Sequence, residues 1–435
     1  MFPYFKKKKV VAFLVVTCIV PLSFNLYTRM SARTERQDVV HTLQRLEGPP
    51  AFQISDSRTH TYLLRERSSL KKSSATQEEL RANTTIYDKR IPQEEDSDDV
   101  IQTTVSDQHN PTVVPSIDGL KTVGNDSVNW CPDRPPFLEG PLADMVKDIT
   151  PAELEQLYPN LEKGGRLRPK ICTPRQRLAL IMPYRNRYPH LHIMLNNIIP
   201  ILKRQQADVT FFVIEQALPG TFNRGALLNI GFLEAEKTAS FDCYIFHDVD
   251  MIPLNDYNFY RCGDNPRHFA VAMNKFGFKM FYKSYFGAVV GFTKQQYLDV
   301  NGCSNIYFGW GGEDDDLLSR SLHKNYSVVR YDPKTARYDM IKHKRDQGNE
   351  ENVLRKALHG DAIRRQDKEG LNTIKYKVNN IRMGQLYTWI NVSLNMTEIL
   401  QTAPEATLKI MANEMRKRKE KLKLQQQQGN NTIPH

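Results

Sequence analysis

Between Trp130 and Leu400 the chain alternates short apolar runs of strand length with longer stretches of helical period, and no other feature restricts the fold as much. LALIMPY (178–184), VTFFVIEQ (209–216), CYIFHDVDMI (243–252), FAVAM (269–273) and FGAVVGFT (286–293) are rich in β-branched and aromatic residues and read as buried strands. HLHIMLNNIIPILKRQQ and NRGALLNIGFLEAEK space their apolar residues three and four apart and read as helices. Such alternation implies an α/β fold with a largely parallel sheet covered by helices on both faces. Ligands of such sheets bind beyond the carboxyl ends of the strands.

The flanks differ in character. Residues 10–27, VVAFLVVTCIVPLSFNLY, are the one candidate membrane span, and as a helix would reach about 27 Å. Lys6 to Lys9 precede it and favour a cytosolic tail over 1–9. A cleaved signal peptide is the alternative; the lack of an A-x-A-like site, with Pro21 and Asn25 where cleavage would begin, favours an uncleaved anchor. Residues 28–129 carry stretches such as SSLKKSSATQEEL and PQEEDSDD that cannot bury a core, which predicts a flexible lumenal stem. Residues 130–400 then form the folded domain and 401–435 a basic, low-complexity tail. The formal charge of +11 gathers in KKKK and in MRKRKEKLK (415–423), so it belongs to the membrane flank and the tail, and nucleic acid is not an expected partner.

A lumenal location agrees with the acceptor sequons at Asn83, Asn125, Asn325, Asn391, Asn395 and Asn430. It agrees too with Cys131, Cys172, Cys243, Cys262 and Cys303, whose spacing suits no zinc site. Four of those five can pair in an oxidising compartment, leaving one over.

Several motifs carry candidate chemistry. In CYIFHDVDMIP, strand alternation puts Asp248 and Asp250 on one face, where two carboxylates suit Mg²⁺ or Mn²⁺; a strand simply leaving the core is the competing reading. FNRGALLNIGF offers Asn223 as N-cap and Arg224 in the first turn of a helix, and MPYRNRYPH places Arg185 and Arg187 after a strand. Those arginines suit a phosphate, or are solvated loop residues. RYDMIKHKRD spaces Met340 and His343 three apart, as on one side of a helical turn; chemistry nominates His343 as a metal ligand and leaves Met340 to packing. In FGWGGEDDDLLSR, Gly311 and Gly312 permit close backbone approach, Trp310 offers a face for a sugar, and Asp314 or Asp315 a base. The carboxylates from Glu313 to Asp316 also suit the positive end of the helix they open.

Together these stretches resemble the β-1,4-galactosyltransferase family of Golgi type II membrane enzymes. PYRNR, FNRGALLNIGF, FHDVDMIPLNDYN, AMNKFGF, YFGAVVGF, GWGGEDDD and MIKHKRD stand in the family's order between Cys131 and Val392. The resemblance implies a GT-A, Rossmann-like fold and inverting transfer of galactose from UDP-galactose to the 4-hydroxyl of a terminal GlcNAc. It implies Mn²⁺ held by Asp250, Met340 and His343, against the packing role that chemistry alone gives Met340. Pro183, Tyr184, Arg185, Asn186, Arg187, Phe222, Asn223, Arg224, Asp248, Val249, Asp250, Lys275, Tyr285, Trp310 and His343 match donor-binding positions. Trp310, Gly312, Glu313, Asp314, Asp315 and Arg355 match the acceptor platform, with Asp314 as general base. The family's disulfides fall on Cys131–Cys172 and Cys243–Cys262, which leaves Cys303 as the odd thiol.

Two positions bear on the substrates. Tyr285 is similar to the vertebrate galactosyltransferases, where invertebrate N-acetylgalactosaminyl relatives carry a smaller aliphatic residue. Lys356 departs from the family's aromatic residue near the acceptor N-acetyl group. The alternatives are therefore a UDP-GalNAc donor, a xylose or glucose acceptor, or a glycan-binding protein without turnover. The sequence leaves a homodimer open.

Overall fold

The computed structural model describes residues 128–144 and 147–430. The expected anchor at 10–27, most of the expected stem, and the sequons at Asn83 and Asn125 lie outside the described residues. Among the described residues no helix is long and apolar enough to cross a membrane.

The strands are β1 (Arg166–Leu167), β2 (Arg177–Tyr184), β3 (Asp208–Gln216), β4 (Cys243–His247), β5 (Met251–Pro253), β6 (Arg267–His268), β7 (Ala272–Met273), β8 (Val289–Thr293), β9 (Val329–Arg330), β10 (Arg337–Met340), β11 (Lys377–Met383) and β12 (Thr388–Ser393). The helices are α1 (Pro151–Leu157), α2 (Tyr188–Arg204), α3 (Arg224–Glu236), α4 (Lys294–Asp299), α5 (Glu313–His323), α6 (Arg355–Gly360), α7 (Ala362–Arg365), α8 (Met396–Thr402) and α9 (Glu405–Asn430). The main sheet runs β11-β12-β3-β2-β4-β8-β6-β9, with β1 also paired to β3. Its centre, β12, β3, β2 and β4, is parallel, whereas β8 and β11 pair antiparallel. The expectation of a largely parallel sheet thus holds for the centre, and outside it only for the edge pair of β6 with β9. A second sheet, β5-β10-β7, lies beside it.

Alternation along β2 sorts the core. Leu178, Leu180 and Met182 pack with Leu191, Met194, Leu195 and Ile198 of α2, while Ala179 and Ile181 pack with Leu227, Leu228 and Ile230 of α3. Successive strand side chains point to opposite faces, so one near-continuous apolar run covers both layers. Each of these leucine, isoleucine and methionine side chains, fully buried, stabilises the fold by about 1.5–3 kcal/mol. The same geometry aims the ends of β2, β3 and β4 at one edge, where the loops bearing Arg185, Arg224 and Asp250 emerge.

Three expectations need correction. CYIFHDVDMI is not one strand: β4 ends at His247, and Asp248 and Asp250 lie in the turn before β5, where the Asp248 N–H donates to the Ala288 carbonyl at 3.1 Å. Their proximity therefore comes from a turn, not from strand alternation. Met340 ends a strand, so no helical turn relates it to His343. The tail from 401 onward is not wholly outside the core, because Leu408, Met411 and Met415 of α9 are buried against Tyr307, Leu354 and Leu358. The charged composition beyond Met415 hides that three-residue apolar stripe at the start of α9.

The disulfides Cys131–Cys172 and Cys243–Cys262 are both formed, and Cys303 is a buried free thiol. Asn325 is exposed in a turn, as a glycan acceptor must be. Asn391 is not: its amide nitrogen donates to Glu215 at 2.5 Å within the sheet. Asn395 caps α8 through its side-chain oxygen.

Candidate active site

A cleft of about 450 Å³ opens at the carboxyl edge of the sheet. One wall comes from the strand ends: Pro183, Arg185 and Arg187 after β2, Phe222 and Arg224 at the start of α3, and Asp248, Val249 and Asp250 after β4. The other is Trp310 to Asp315 and Arg355, with Lys275, Tyr285, Met340 and His343 closing the ends.

The wall of strand ends is organised by charge. Asn223 caps α3 by accepting the Ala226 N–H at 2.9 Å, which holds Arg224 in the first turn. The Arg224 guanidinium meets Asp248 at 2.7 Å and Glu313 at 3.6 Å, bridging the two walls. Burial pushes Asp248 up to about 6, against the pull of Arg224. Burial and the neighbouring Asp314 push Glu313 up to about 8, and its Oε2 has no hydrogen-bond partner.

Asp250 and His343 are 93 residues apart and meet: His343 Nε2 lies 2.9 Å from Asp250 Oδ2. The Ile341 N–H donates to the Asp250 carbonyl at 2.8 Å, so the end of β10 is pinned to the acidic turn. Two ligands at right angles about 2.1 Å from an octahedral ion stand about 3 Å apart, so this pair fits a shared divalent cation. A carboxylate with an imidazole suits Mn²⁺. Met340 lines the same cleft.

On the opposite wall the paired glycines have a definite cause. Gly311 and Gly312 have φ of 101° and 93°, a left-handed backbone that turns Trp310 outward and starts α5. A side chain at Gly312 would also strike Arg355 and Tyr307 at 2.9 Å. Trp310 is 47% exposed, with Arg345 and Arg355 over its ring at 4.8 and 5.6 Å.

The four acids divide by helical direction. Glu313, Asp314 and Asp315 line the cleft. Asp315 accepts the Tyr282 hydroxyl at 2.7 Å, and burial with the adjacent Asp315 raises the Asp314 carboxyl above the usual range. Asp316 points inward, fully buried, and holds Arg320 at 2.6 Å and also Arg365.

Some expected contacts are not in the cleft. Tyr184 is buried in the core with its ring edge-on to Trp389, Asn223 is fully buried as a cap, and Asn186 is exposed beyond the β2 end. None of the three lines the cleft. Arg185 and Arg187 do, but they are occupied: Arg185 donates to the carbonyls of Gly220 and Gly348 at 2.7 and 2.9 Å, and Arg187 pairs with Asp346 at 2.5 Å. They strap the loop after His343 over the site. Residues that motif reading passed over are Phe276, Phe281 and Tyr282, an aromatic end wall with Phe276 and Phe281 stacked at 4.1 Å. The density of rings in KFGFKMFYKSYF was the available signal. Lys356 is exposed and not in the lining.

Residues 131–263 match the N-terminal region of glycosyl transferase group 7, and residues 267–344 match the galactosyltransferase domain described as N-terminal. β-1,4-Galactosyltransferase 1 of Mus musculus is 45% identical over 276 residues, spanning 63% of this chain and 69% of that protein. The chain belongs to the β-1,4-galactosyltransferase family. Another member, β-1,4-galactosyltransferase 2 of Cricetulus griseus, is 44% identical over 61% of this chain and 72% of its own length. A β-N-acetyl-D-glucosaminide β-1,4-N-acetylglucosaminyl-transferase of Lymnaea stagnalis is 39% identical over 63% of this chain and 67% of its own length. Among solved structures, the catalytic domain of Drosophila β1,4-galactosyltransferase 7 with xylobiose superposes with a TM-score of 0.44 at 29% identity, over 50% of this chain and 94% of that one. The matched family regions contain every cleft wall described above up to His343.

Proposed function

We propose that this family member transfers galactose from UDP-galactose to the 4-hydroxyl of a terminal GlcNAc, with inversion, on a GT-A catalytic domain. The observation that carries the reading is the meeting of Asp250 and His343 at 2.9 Å across a cleft whose opposite wall presents Asp314.

Asp250, His343 and Met340 would hold Mn²⁺, which when bound supplies positive charge against the diphosphate. Arg224 and Lys275 add cationic side chains on the donor wall, and Phe222 an aromatic face. Trp310 and the left-handed glycine turn seat the acceptor ring. Asp314 removes the proton of the attacking hydroxyl, and its raised pKa brings it nearer the working pH, where a general base is most effective. Attack from the face opposite the leaving UDP inverts the anomeric carbon. Asp315 fixes Tyr282 at the acceptor end. The same reading places residues 10–27 as a signal anchor and the catalytic domain in the Golgi lumen, in keeping with two formed disulfides.

A second reading, an N-acetylhexosamine donor, is favoured by the Lymnaea relative's activity. Tyr285 opposes it, because a bulky phenol at the cleft end leaves less room for an acetamido group. The test is a screen of UDP-galactose, UDP-GalNAc and UDP-GlcNAc against GlcNAc, glucose and xylose acceptors with Mn²⁺. Turnover with UDP-galactose and GlcNAc at least tenfold above other pairs is expected, since a polar pocket discriminates by about that factor or more. Binding without turnover of any pair refutes the enzyme reading.

A further inference from the structure

Gly287, in the stretch Tyr285-Phe286-Gly287-Ala288, sits where two cleft side chains converge. A Cβ built on it would stand 2.5 Å from Asp314 Oδ2, 2.7 Å from Tyr285 Oη and 2.8 Å from Tyr285 Cε2. Real Cβ atoms essentially never approach other atoms that closely, so only a bare Cα lets a carboxylate and a phenol close on this point. Backbone freedom is not the reason for the glycine, because Gly287 is absent from the positions with positive φ. The requirement is for space.

The backbone around it is tied from several sides. The Gly287 carbonyl accepts the Val289 N–H at 2.8 Å and lies 3.2 Å from His268 Nε2. The Tyr285 carbonyl accepts Arg330 at 2.9 Å, and the Ala288 carbonyl accepts the Asp248 N–H at 3.1 Å. This floor is continuous with the donor wall, and Asp314 rests on it from the acceptor wall. Asp314 is also braced from behind, since its neighbour Asp316 is locked into the buried pairs with Arg320 and Arg365.

We infer that Gly287 is a positioning residue for the transfer: its missing side chain sets where the Asp314 carboxylate stands relative to Tyr285 and to the donor wall. The inference rests on the proposed role of Asp314 as base. The three nearest atoms that a methyl group at this site would meet all belong to side chains, so it misplaces the base at little cost to the fold. A shift of about 1 Å in a reacting group costs about a hundredfold in rate.

The experiment measures Gly287→Ala, Tyr285→Phe with Gly287→Ala, and Asp314→Asn with and without Gly287→Ala, in the full chain. Gly287→Ala is expected to lower kcat about 100-fold while UDP affinity stays within about threefold. Adding Tyr285→Phe removes the hydroxyl contact alone, leaves those with Cε2 and with Asp314 Oδ2, and restores little. Adding Gly287→Ala to Asp314→Asn costs little more than Asp314→Asn alone, because both changes act on one carboxylate. A kcat within about threefold of wild type, full recovery in the Tyr285→Phe double variant, or loss of UDP affinity in step with kcat each overturns the inference. A wild-type chain that transfers no sugar sinks the functional reading separately; the packing claim is then decided by a crystal structure of Gly287→Ala, which overturns it if the Asp314 carboxylate has not moved.

Discussion

Replacing Arg365 with methionine tests how the acceptor wall is held. The Arg365 side chain is buried; its guanidinium reaches Asp316, Glu369 at 3.3 Å, the Tyr307 hydroxyl at 3.3 Å and the Leu358 carbonyl at 2.5 Å. With Arg320, Asp316 and Glu369 it forms a neutral set of two cations and two anions with no access to solvent. Removing one cation leaves a carboxylate in excess. Breaking a buried pair this way costs about 3–5 kcal/mol. Methionine packing recovers about 1 kcal/mol of that. The net loss of about 3 kcal/mol corresponds to a melting shift of about 5 °C in a body of this size. Denaturant melts of both chains at neutral pH give the measurement. A loss under about 1 kcal/mol refutes the account of this cluster as a charge-balanced brace.

Three further outcomes are expected. The acid limb of the transfer rate should titrate above the ordinary aspartate range, since Asp314 must be ionised to act and burial raises it; a limb at or below the usual value in a kcat/KM profile contradicts the assignment. Cys303, fully buried and pushed up to about 12, should resist iodoacetamide in the native chain at pH 8 and react after denaturation, as read by mass spectrometry. Peptide mapping should find glycan on Asn325 and none on Asn391, whose amide nitrogen is committed to Glu215.

The strands and helices at the centre were legible because their apolar periodicity reflects burial on one or two faces, as in β2, β3, α2 and α3. The motifs located both cleft walls, since Arg224, Asp250 and Asp314 follow abruptly after or before such elements. Periodicity failed where a turn does the positioning. Asp248 and Asp250 read as strand alternates but are a turn, and Met340 and His343 read as a helical pair but are a strand end and a loop. Tyr184 and Asn223 sit within site motifs yet serve the core and a helix cap, because motif membership carries no side-chain direction. Asp316 stands in the same row as Asp314 and turns away from it, which the 100° step of a helix dictates once the helix start is known. Gly287 could not be weighed at all, because the carboxylate it makes room for belongs to Asp314, 27 positions away.

The most direct measurement follows product formation from UDP-galactose and GlcNAc with Mn²⁺ in the wild-type chain and in Asp314→Asn, with UDP-galactose affinity measured alongside. The account predicts a β-1,4-linked disaccharide from the wild type and about a thousandfold slower transfer in the variant at nearly unchanged donor affinity. Equal rates in the two chains, or no disaccharide from the wild type, would contradict it.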